Sequence, residues 1–474
     1  MDDHSWTGIP SCGAAKRLYI LVNNPFMAGR HTDMTSSISP DNEQPQKPGA
    51  GDAETTLSIR LLSSLADVPA NKWDAVANPG WILSQGGKLT RTPGAGESQD
   101  LTSALAPEAD SFSEETDFNP FLSHAFLEAL EASGCATRQT GWMPRHMVLE
   151  DGNGAVLGAV PAYLKSHSQG EYVFDHGWAD AFYRAGGDYY PKLQISVPFT
   201  PATGRRFLTS PDINREAGLQ ALAAGLVQVC QRTGASSVHA TFLTKPEWQS
   251  LGDLGYLRRT DQQFHWDNNG YDTFDQFLGD LASRKRKAIK KERREALSAE
   301  GLEIEWVTGS DLTEAHWDAF YGFYMDTGAR KWGRPYLNRA FFSLISERMA
   351  DRILLVLAKR NGRYVAGALN FIGSETLFGR HWGCTEHHPF LHFELCYYQA
   401  IDFAISKGLK RVEAGAQGAH KLARGYLPQT TYSAHWIAHE GLHDAVADFL
   451  EQERRAVQRE NEALAEHAPF RKDS

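Results

Sequence analysis

Along the chain the spacing of apolar positions switches between two-residue and helical periods, and it does so twice in the same order. In the second half, residues 302–307, LEIEWV, alternate and predict a strand. Helical spacing follows over 312–326 and 337–350. RILLVLAKR and RYVAGALNFIG then flank Asn361–Gly362, a dipeptide that tolerates positive φ and predicts a type I′ hairpin. ETLFGRHWG predicts a third strand. Residues 391–407 predict an amphipathic helix stopped at Gly408. KRVEAG, HKLARGY and TYSAHWI read as strand, short helix and strand.

The first half repeats this order. LSIRLL is a strand, helices fall near 70–77 and 121–133, and HMVLEDGNGAVLGAVPAYL is a hairpin. KLQISV, helix 212–232, SSVHATF, a short helix near 245–252 and QFHW complete it. VLEDGNGAVLGA matches VLAKRNGRYVAGA, and SVHA matches RVEA, each followed downstream by Gly–Tyr–Leu. The shared order predicts an internal duplication. The expected domains are a first lobe over 56–260, a second over 261–440, and a helical tail over 441–474.

Two tracts carry no apolar period. Residues 31–54 are rich in Ser, Pro, Asp, Gln and Gly, so 1–55 is expected to be disordered, with Met34 the expected true start. Residues 86–117 read as a polar surface insertion in the first lobe. A third tract has the opposite character. Residues 273–297 predict one helix, capped by Thr273 and Gln276, with an apolar first half. Its second half holds eight cations between Arg284 and Arg294.

The net charge of −10 argues against global attraction to nucleic acid or an anionic membrane and makes that basic helix the one place where a polyanion such as tRNA would dock. No apolar run reaches the ~18 residues of a membrane span. Five scattered cysteines with no CxxC pair point to reduced thiols in a cytoplasmic protein. They also argue against a metal site, as does the lack of HExxH among His381, Glu386, His387, His388, His392 and Glu394. Oligomeric state is not readable from the sequence.

The order strand, two helices, three antiparallel strands, helix, strand, helix, strand is that of the GNAT acetyltransferase fold. The fold class expected is therefore α/β (α+β), with two tandem GNAT-like lobes, each a mostly antiparallel splayed sheet flanked by helices. Several runs go further: NPFLSHAFLEALEASG, YLKSHSQGEYVFDHGWADAF, YYPKLQISVPFTPATGRRFL, QFHWDNNGYDTFDQFL, and LHFELCYYQAIDFAI with VEAGAQGAHKLARGYLP. In these the chain resembles the FemAB-like branch of the GNAT superfamily, a group of N-acyltransferases named for peptidoglycan biosynthesis or recognition. FemAB proteins typically carry an inserted helical hairpin that resembles a tRNA-handling arm; this chain departs from that pattern, with no long hairpin and only one basic helix.

The resemblance implies transfer of an acyl or aminoacyl group to a small-molecule or peptide-linked amine. The donor would be acyl-CoA or aminoacyl-tRNA, with no tightly bound cofactor. An acyl-CoA-dependent N-acetyltransferase, and a non-catalytic module binding a peptidoglycan precursor or RNA, remain alternatives. Acyl transfer to an amine needs a proton acceptor and a stabilised carbonyl oxygen. Glu394 or His392 is expected to face the cleft, with Glu413 beside it at a strand end. The FemAB-like lysine motif implies substrate contacts from Lys421 and Arg424, with Gln417 and His420 on the same turn. In the first lobe Asp175 and His176, with Tyr190, form a candidate acceptor-binding group. The loop after KLQISV, with Thr200, Thr203, Gly204 and Arg205, suits a turn that cradles the donor's pyrophosphate on backbone N–H groups.

Overall fold

The computed structural model describes residues 17–18, 57–92, 117–331, 335–415 and 418–471. The first half contains β1 (Arg17–Leu18), β2 (Ser58–Leu62), α1 (Ala70–Ala77), β3 (Trp81–Leu83), β4 (Leu89–Arg91), α2 (His124–Ala132), β5 (Trp142–Pro144), β6 (His146–Glu150), β7 (Val156–Val160) and β8 (Ala162–Lys165). It continues with α3 (His176–Arg184), β9 (Lys192–Ile195), β10 (Leu208–Thr209), α4 (Arg215–Thr233), β11 (Ser237–Leu243), α5 (Lys245–Asp253) and β12 (Leu257–Asp267). The second half contains α6 (Phe274–Asp280), α7 (Ser283–Ala296), β13 (Leu302–Thr308), α8 (Glu314–Lys331), α9 (Arg339–Met349), β14 (Ile353–Arg360), β15 (Arg363–Ile372) and β16 (Thr376–Cys384). A helix in three parts follows: α10 (Leu391–Phe393), a π turn (Glu394–Tyr398) and α11 (Gln399–Ser406). β17 (Arg411–Glu413), a 3-10 turn (Ala419–Arg424), β18 (Leu427–Ile437) and α12 (Glu440–Glu466) complete the chain.

Both halves therefore run through the order read from the sequence, and the fold is a pair of tandem GNAT-type lobes. Asn361 and Gly362 have φ of 53° and 77°, as a type I′ turn requires. In the first lobe the matching hairpin is bent where β5 gives way to β6 and where Pro161 separates β7 from β8. Its outer part joins a five-stranded sheet, β1-β2-β6-β7-β10, and its inner part the main sheet.

The main sheet has eleven strands in the order β13-β14-β15-β16-β17-β12-β18-β11-β9-β8-β5. At its centre the lobes exchange their last strands. β12, from the first half, lies between β17 and β18, with His265 opposite Glu413 and Leu257 opposite His435. β18, from the second half, lies between β12 and β11, with Val238 opposite Trp436. An expected lobe boundary at 260/261 falls inside β12. The lobes also share an apolar core, in which Trp73, Phe121 and Phe126 pack with Trp317, Phe341 and Phe371. Each buried aromatic of this kind contributes about 1.5–3 kcal/mol, so neither lobe is a free body.

Three local expectations change. The helix expected over 273–297 breaks at Leu281 and Ala282: Leu281 is extended (ψ 148°) and bridges to Phe470, which turns α7 away from α6. The tract 86–117 begins as structure, because β4 pairs with β3 and Gly87 packs so close to the Met349 backbone that a Cβ there would lie 2.7 Å away. Residues 93–116 lie outside the described residues, as does most of 1–55, yet Arg17–Leu18 within it pairs with β2. Among the described residues no helix is long and apolar enough to cross a membrane.

Candidate functional site

Each lobe has one parallel strand pair in the main sheet. β16 runs parallel to β17 from Thr376/Arg411 to Phe378/Glu413, and β9 runs parallel to β11 from Leu193/Val238 to Ile195/Ala240. Past those points the ladders stop and the strands part. Parallel strands that separate expose unpaired backbone groups and give a ligand room between them.

In the second lobe the parting is marked by a bulge. Leu369 faces His381 and Asn370 faces Gly379, leaving Arg380 as the extra residue of β16. On the other side β17 ends in Glu413, which is buried, with one carboxylate oxygen 4.0 Å from His265 Nε2. His265 is held neutral, its pKa pushed well down by burial. Lys421 closes this end. It is 4% exposed, and Nζ donates to the carbonyls of Ala414 (2.6 Å) and Gly415 (2.8 Å). Burial lowers its pKa to about 8. Opposite stand Trp382 and His392, with ring centroids 5.1 Å apart, then Phe393 and Tyr397. The Tyr397 hydroxyl is 3.0 Å from His420 Nε2. Glu413 also lines a small cleft of about 70 Å³ between the lobes, together with Asn119, Thr203, Gly204, Arg205 and Lys410.

The other expected residues are distributed as follows. Glu394 is fully buried but faces α7, not the opening. Arg293 reaches it with Nε (3.2 Å) and Nη2 (2.8 Å), and Gln399 adds a third bond at 2.8 Å, so its oxygens are committed to the protein. Arg424 is likewise committed. It donates to Glu292 (2.8 Å) and to the His420 carbonyl (2.7 Å), and its guanidinium lies 3.5 Å from the Phe393 ring centroid. It holds the turn that carries Lys421, and a ligand phosphate would have to displace Glu292. Gln417 lies outside the described residues.

The loop expected to cradle a pyrophosphate is closed on itself. Glu247, 1% exposed, accepts the N–H groups of Arg206 and Phe207 at 2.8 Å each, occupying donors an anion would need. The Gly204 N–H goes to the Phe242 carbonyl. Arg205 binds the carbonyls of Val76 and Ala77, and the buried Arg206 guanidinium binds those of Ala202, Gly204, Arg205 and Thr241. The Thr200 hydroxyl donates to the Pro198 carbonyl at 3.0 Å. Thr203, Gly204 and Arg205 thus line the inter-lobe cleft as wall, not as an open anion turn.

Asp175 and His176 part company. His176 is exposed, while Asp175 is buried against Lys192 and accepts from the Tyr189 hydroxyl at 2.7 Å. Lys192 also donates to Glu171 at 2.6 Å and to Ser168 at 2.8 Å, and Ser168 meets the Tyr190 hydroxyl at 2.7 Å. Lys192 holds the Asp175 carboxyl well below its ordinary range against the opposing effect of burial. This face of the first lobe is filled with paired charge.

Arg380 went unnoticed in the sequence. Its position in a bulge depends on strand register, for which GRHWG carries no signal.

Two lobes of this topology, fused through exchanged strands and open at the second strand pair, define a tandem GNAT-type protein. A family model, FemAB-like, described as peptidoglycan biosynthesis/recognition, matches residues 101–472. The chain belongs to this family. Similar solved structures include FemX, with 14% identity, 68% of this chain and 93% of that chain covered, and a TM-score of 0.45. A tandem GNAT protein from the clavulanic acid biosynthesis pathway has 12% identity, covers 81% and 99%, and scores 0.42. L-PGS from Bacillus licheniformis has 10% identity, covers 70% and 98%, and scores 0.42. No curated protein matches the sequence significantly.

Proposed function

We propose that the chain is an N-acyltransferase that moves an acyl or aminoacyl group onto an amine of a cell-wall peptide precursor, in the opening between β16 and β17. The observation that carries this is a pair of groups set around the end of β17: the buried Glu413 carboxylate that ends the strand, and the Lys421 amine, held on the Ala414 and Gly415 carbonyls just beyond it with its pKa drawn to about 8. The acceptor nitrogen attacks the acyl carbon as its proton passes to Glu413. The C–N bond forms, the Lys421 ammonium stabilises the carbonyl oxygen as it gains charge, and the bond to the leaving group breaks as Glu413 returns the proton to the departing oxygen or sulfur. A general base contributes about 10²–10⁴-fold and an oxyanion donor about 10²–10³-fold.

For the donor, α7 favours an aminoacyl-tRNA over acyl-CoA. Arg284, Lys285, Arg286, Lys287, Lys291 and Arg294 make no side-chain hydrogen bond or ion pair to the described residues. Arg293 and Glu292 fasten this helix to the site through Glu394 and Arg424. The α10 end offers no glycine turn for a pyrophosphate, since its N-cap is Phe390 at φ 60°.

The test is mass spectrometry of an amine-bearing peptidoglycan peptide incubated with the protein and alanyl-tRNA or acetyl-CoA. The wild type is expected to add one alanyl group from the tRNA. Glu413→Gln and Lys421→Met should each lose at least about 100-fold, within the range for such groups. Equal rates in the variants would overturn the assignment.

A further inference from the structure

A guanidinium placed between the lobes has more donors than acceptors. We propose that Arg380 binds a carboxylate of the substrate, a reading that rests on the opening between β16 and β17 being the reaction site.

As the bulge residue of β16, Arg380 is re-aimed out of the ladder and across to the first lobe, where Nη2 donates to the Phe199 carbonyl at 2.8 Å. That is the single hydrogen bond its guanidinium makes to the described residues, out of five N–H groups. Its surroundings are otherwise poor in acceptors. Arg380 and His381 line a narrow crevice whose other walls include Phe126, Phe199, Phe341 and Phe371. The His381 ring cannot supply a compensating charge and is itself kept neutral by burial. Arg380 is half-buried and none of its nitrogens is both sealed from solvent and unpaired, so a ligand anion can reach the donors left open.

The rim is shaped with equal care. Phe199 and Tyr172, neither of them glycine, both hold positive φ, 58° and 60°. Such conformations are strained and persist where the surroundings impose them, often at ligand clamps. The Phe199 ring stacks on Tyr336 with centroids 4.9 Å apart and planes 11° apart. The Tyr172 hydroxyl makes no hydrogen bond to the described residues and belongs to the same electrostatic neighbourhood as Arg380. Arg380 and Tyr172 together offer a planar fork and a hydroxyl donor.

A guanidinium fork matches a carboxylate edge with two parallel hydrogen bonds. Glu413 belongs to the same electrostatic neighbourhood. A dianionic phosphate would be repelled by that carboxylate more strongly than a singly charged carboxylate, and the aromatic walls suit an anion carried on an organic chain. The ligand assigned is therefore an organic carboxylate, such as the free C-terminus of a peptide.

Binding, not turnover, tests this, which keeps its failure separate from failure of the transfer reaction. The probes are N-acetyl-D-alanyl-D-alanine, its C-terminal amide and inorganic phosphate, titrated calorimetrically into the full chain. The acid is expected to bind at least tenfold tighter than the amide. Arg380→Gln should abolish that preference. Arg380→Lys, which keeps the charge and the stem in place if the glutamine variant does not fold, should lose most of it. No binding of the acid by the wild type, an amide bound as well as the acid, phosphate bound as tightly as the acid, or a preference that survives Arg380→Lys would overturn the assignment.

Discussion

The two lobes share one element order and one sheet, yet their strand openings have opposite character. In the second lobe β16 and β17 part around Arg380, Glu413 and Lys421, and half-exposed aromatics line the gap. In the first lobe the equivalent space beside β9 and β11 is filled. The loop after β9 folds over the Arg206 guanidinium and hands its N–H groups to Glu247, while Lys192 and Lys165 lie against the Glu171 and Asp175 carboxylates beneath it. The same topology thus yields an opening in one copy and a filled space in the other. What differs is that Glu247 occupies the backbone N–H groups of the first-lobe loop, whereas β16 and β17 part around Arg380 and Glu413.

The sharpest way to break this contrast is at Lys192. Lys192→Met leaves Asp175 buried without its partner and Glu171 with only Lys165, 3.6 Å away, and losing one partner of a buried charge cluster costs about 3–5 kcal/mol. Urea unfolding should show that loss. A change below about 1 kcal/mol would mean that the first lobe's charges are not what fills it.

At Glu247 the expected effect is somewhat smaller. Glu247→Ala strips the acceptor from the Arg206 and Phe207 N–H groups and from Thr244, for a loss of about 1–3 kcal/mol. Because the vacated donors suit an anion, added acetate should restore part of the melting temperature, and more of it than in wild type. No differential effect of acetate would show that the loop does not hold a hidden anion turn.

Lys421 sharpens the comparison through pH. Its folded pKa of about 8 lies below the ~10.4 of a free lysine, so between those values the unfolded chain binds more protons. Stability from this group therefore rises with pH across that window, and the penalty of the buried ammonium is fully present below pH 8. Wild type should gain stability relative to Lys421→Met between pH 8 and 10.5. Transfer activity should fall as pH rises through about 8, where the ammonium is lost. An activity profile with no limb near 8 would separate Lys421 from the chemistry.

The smallest effect on stability is expected at α7. Changing Lys287, Lys291 and Arg294 to Gln removes exposed, unpaired charges and should shift stability by well under about 1 kcal/mol. It should nevertheless flatten the salt dependence of tRNA retention, since each lost phosphate contact reduces the slope by about one. Equal salt slopes would leave α7 as solvated surface.

Much of the fold was legible because it is encoded locally. Asn361–Gly362, the alternation of LEIEWV and the Gly408 stop are short-range signals, and each element formed where its period placed it. What could not be read is long-range. The strand exchange depends on β12 meeting β17 and β18, up to about 180 positions away, and no local pattern specifies that partner. The site divided in the same way. Glu413 and Lys421 sit at ends of local elements and could be placed from them. Glu394 and Arg424 have the right chemistry, but partners 101 and 132 positions away, Arg293 and Glu292, already hold them. The loop with Thr200, Thr203, Gly204 and Arg205 has the composition of an anion turn, and only Glu247, 41 positions on from Arg206, reveals it as closed.

The central claim is that the second lobe keeps a chemically tuned opening while the first lobe's charges are locked together. Lysine titrations followed by NMR on a chain labelled at lysine ¹³Cε test both halves of it in one sample. Lys421 should titrate near pH 8. Lys192, held by Glu171 and Asp175, should stay protonated beyond the range of surface lysines. Lys421 titrating with the surface lysines, near ~10.4, would contradict the account.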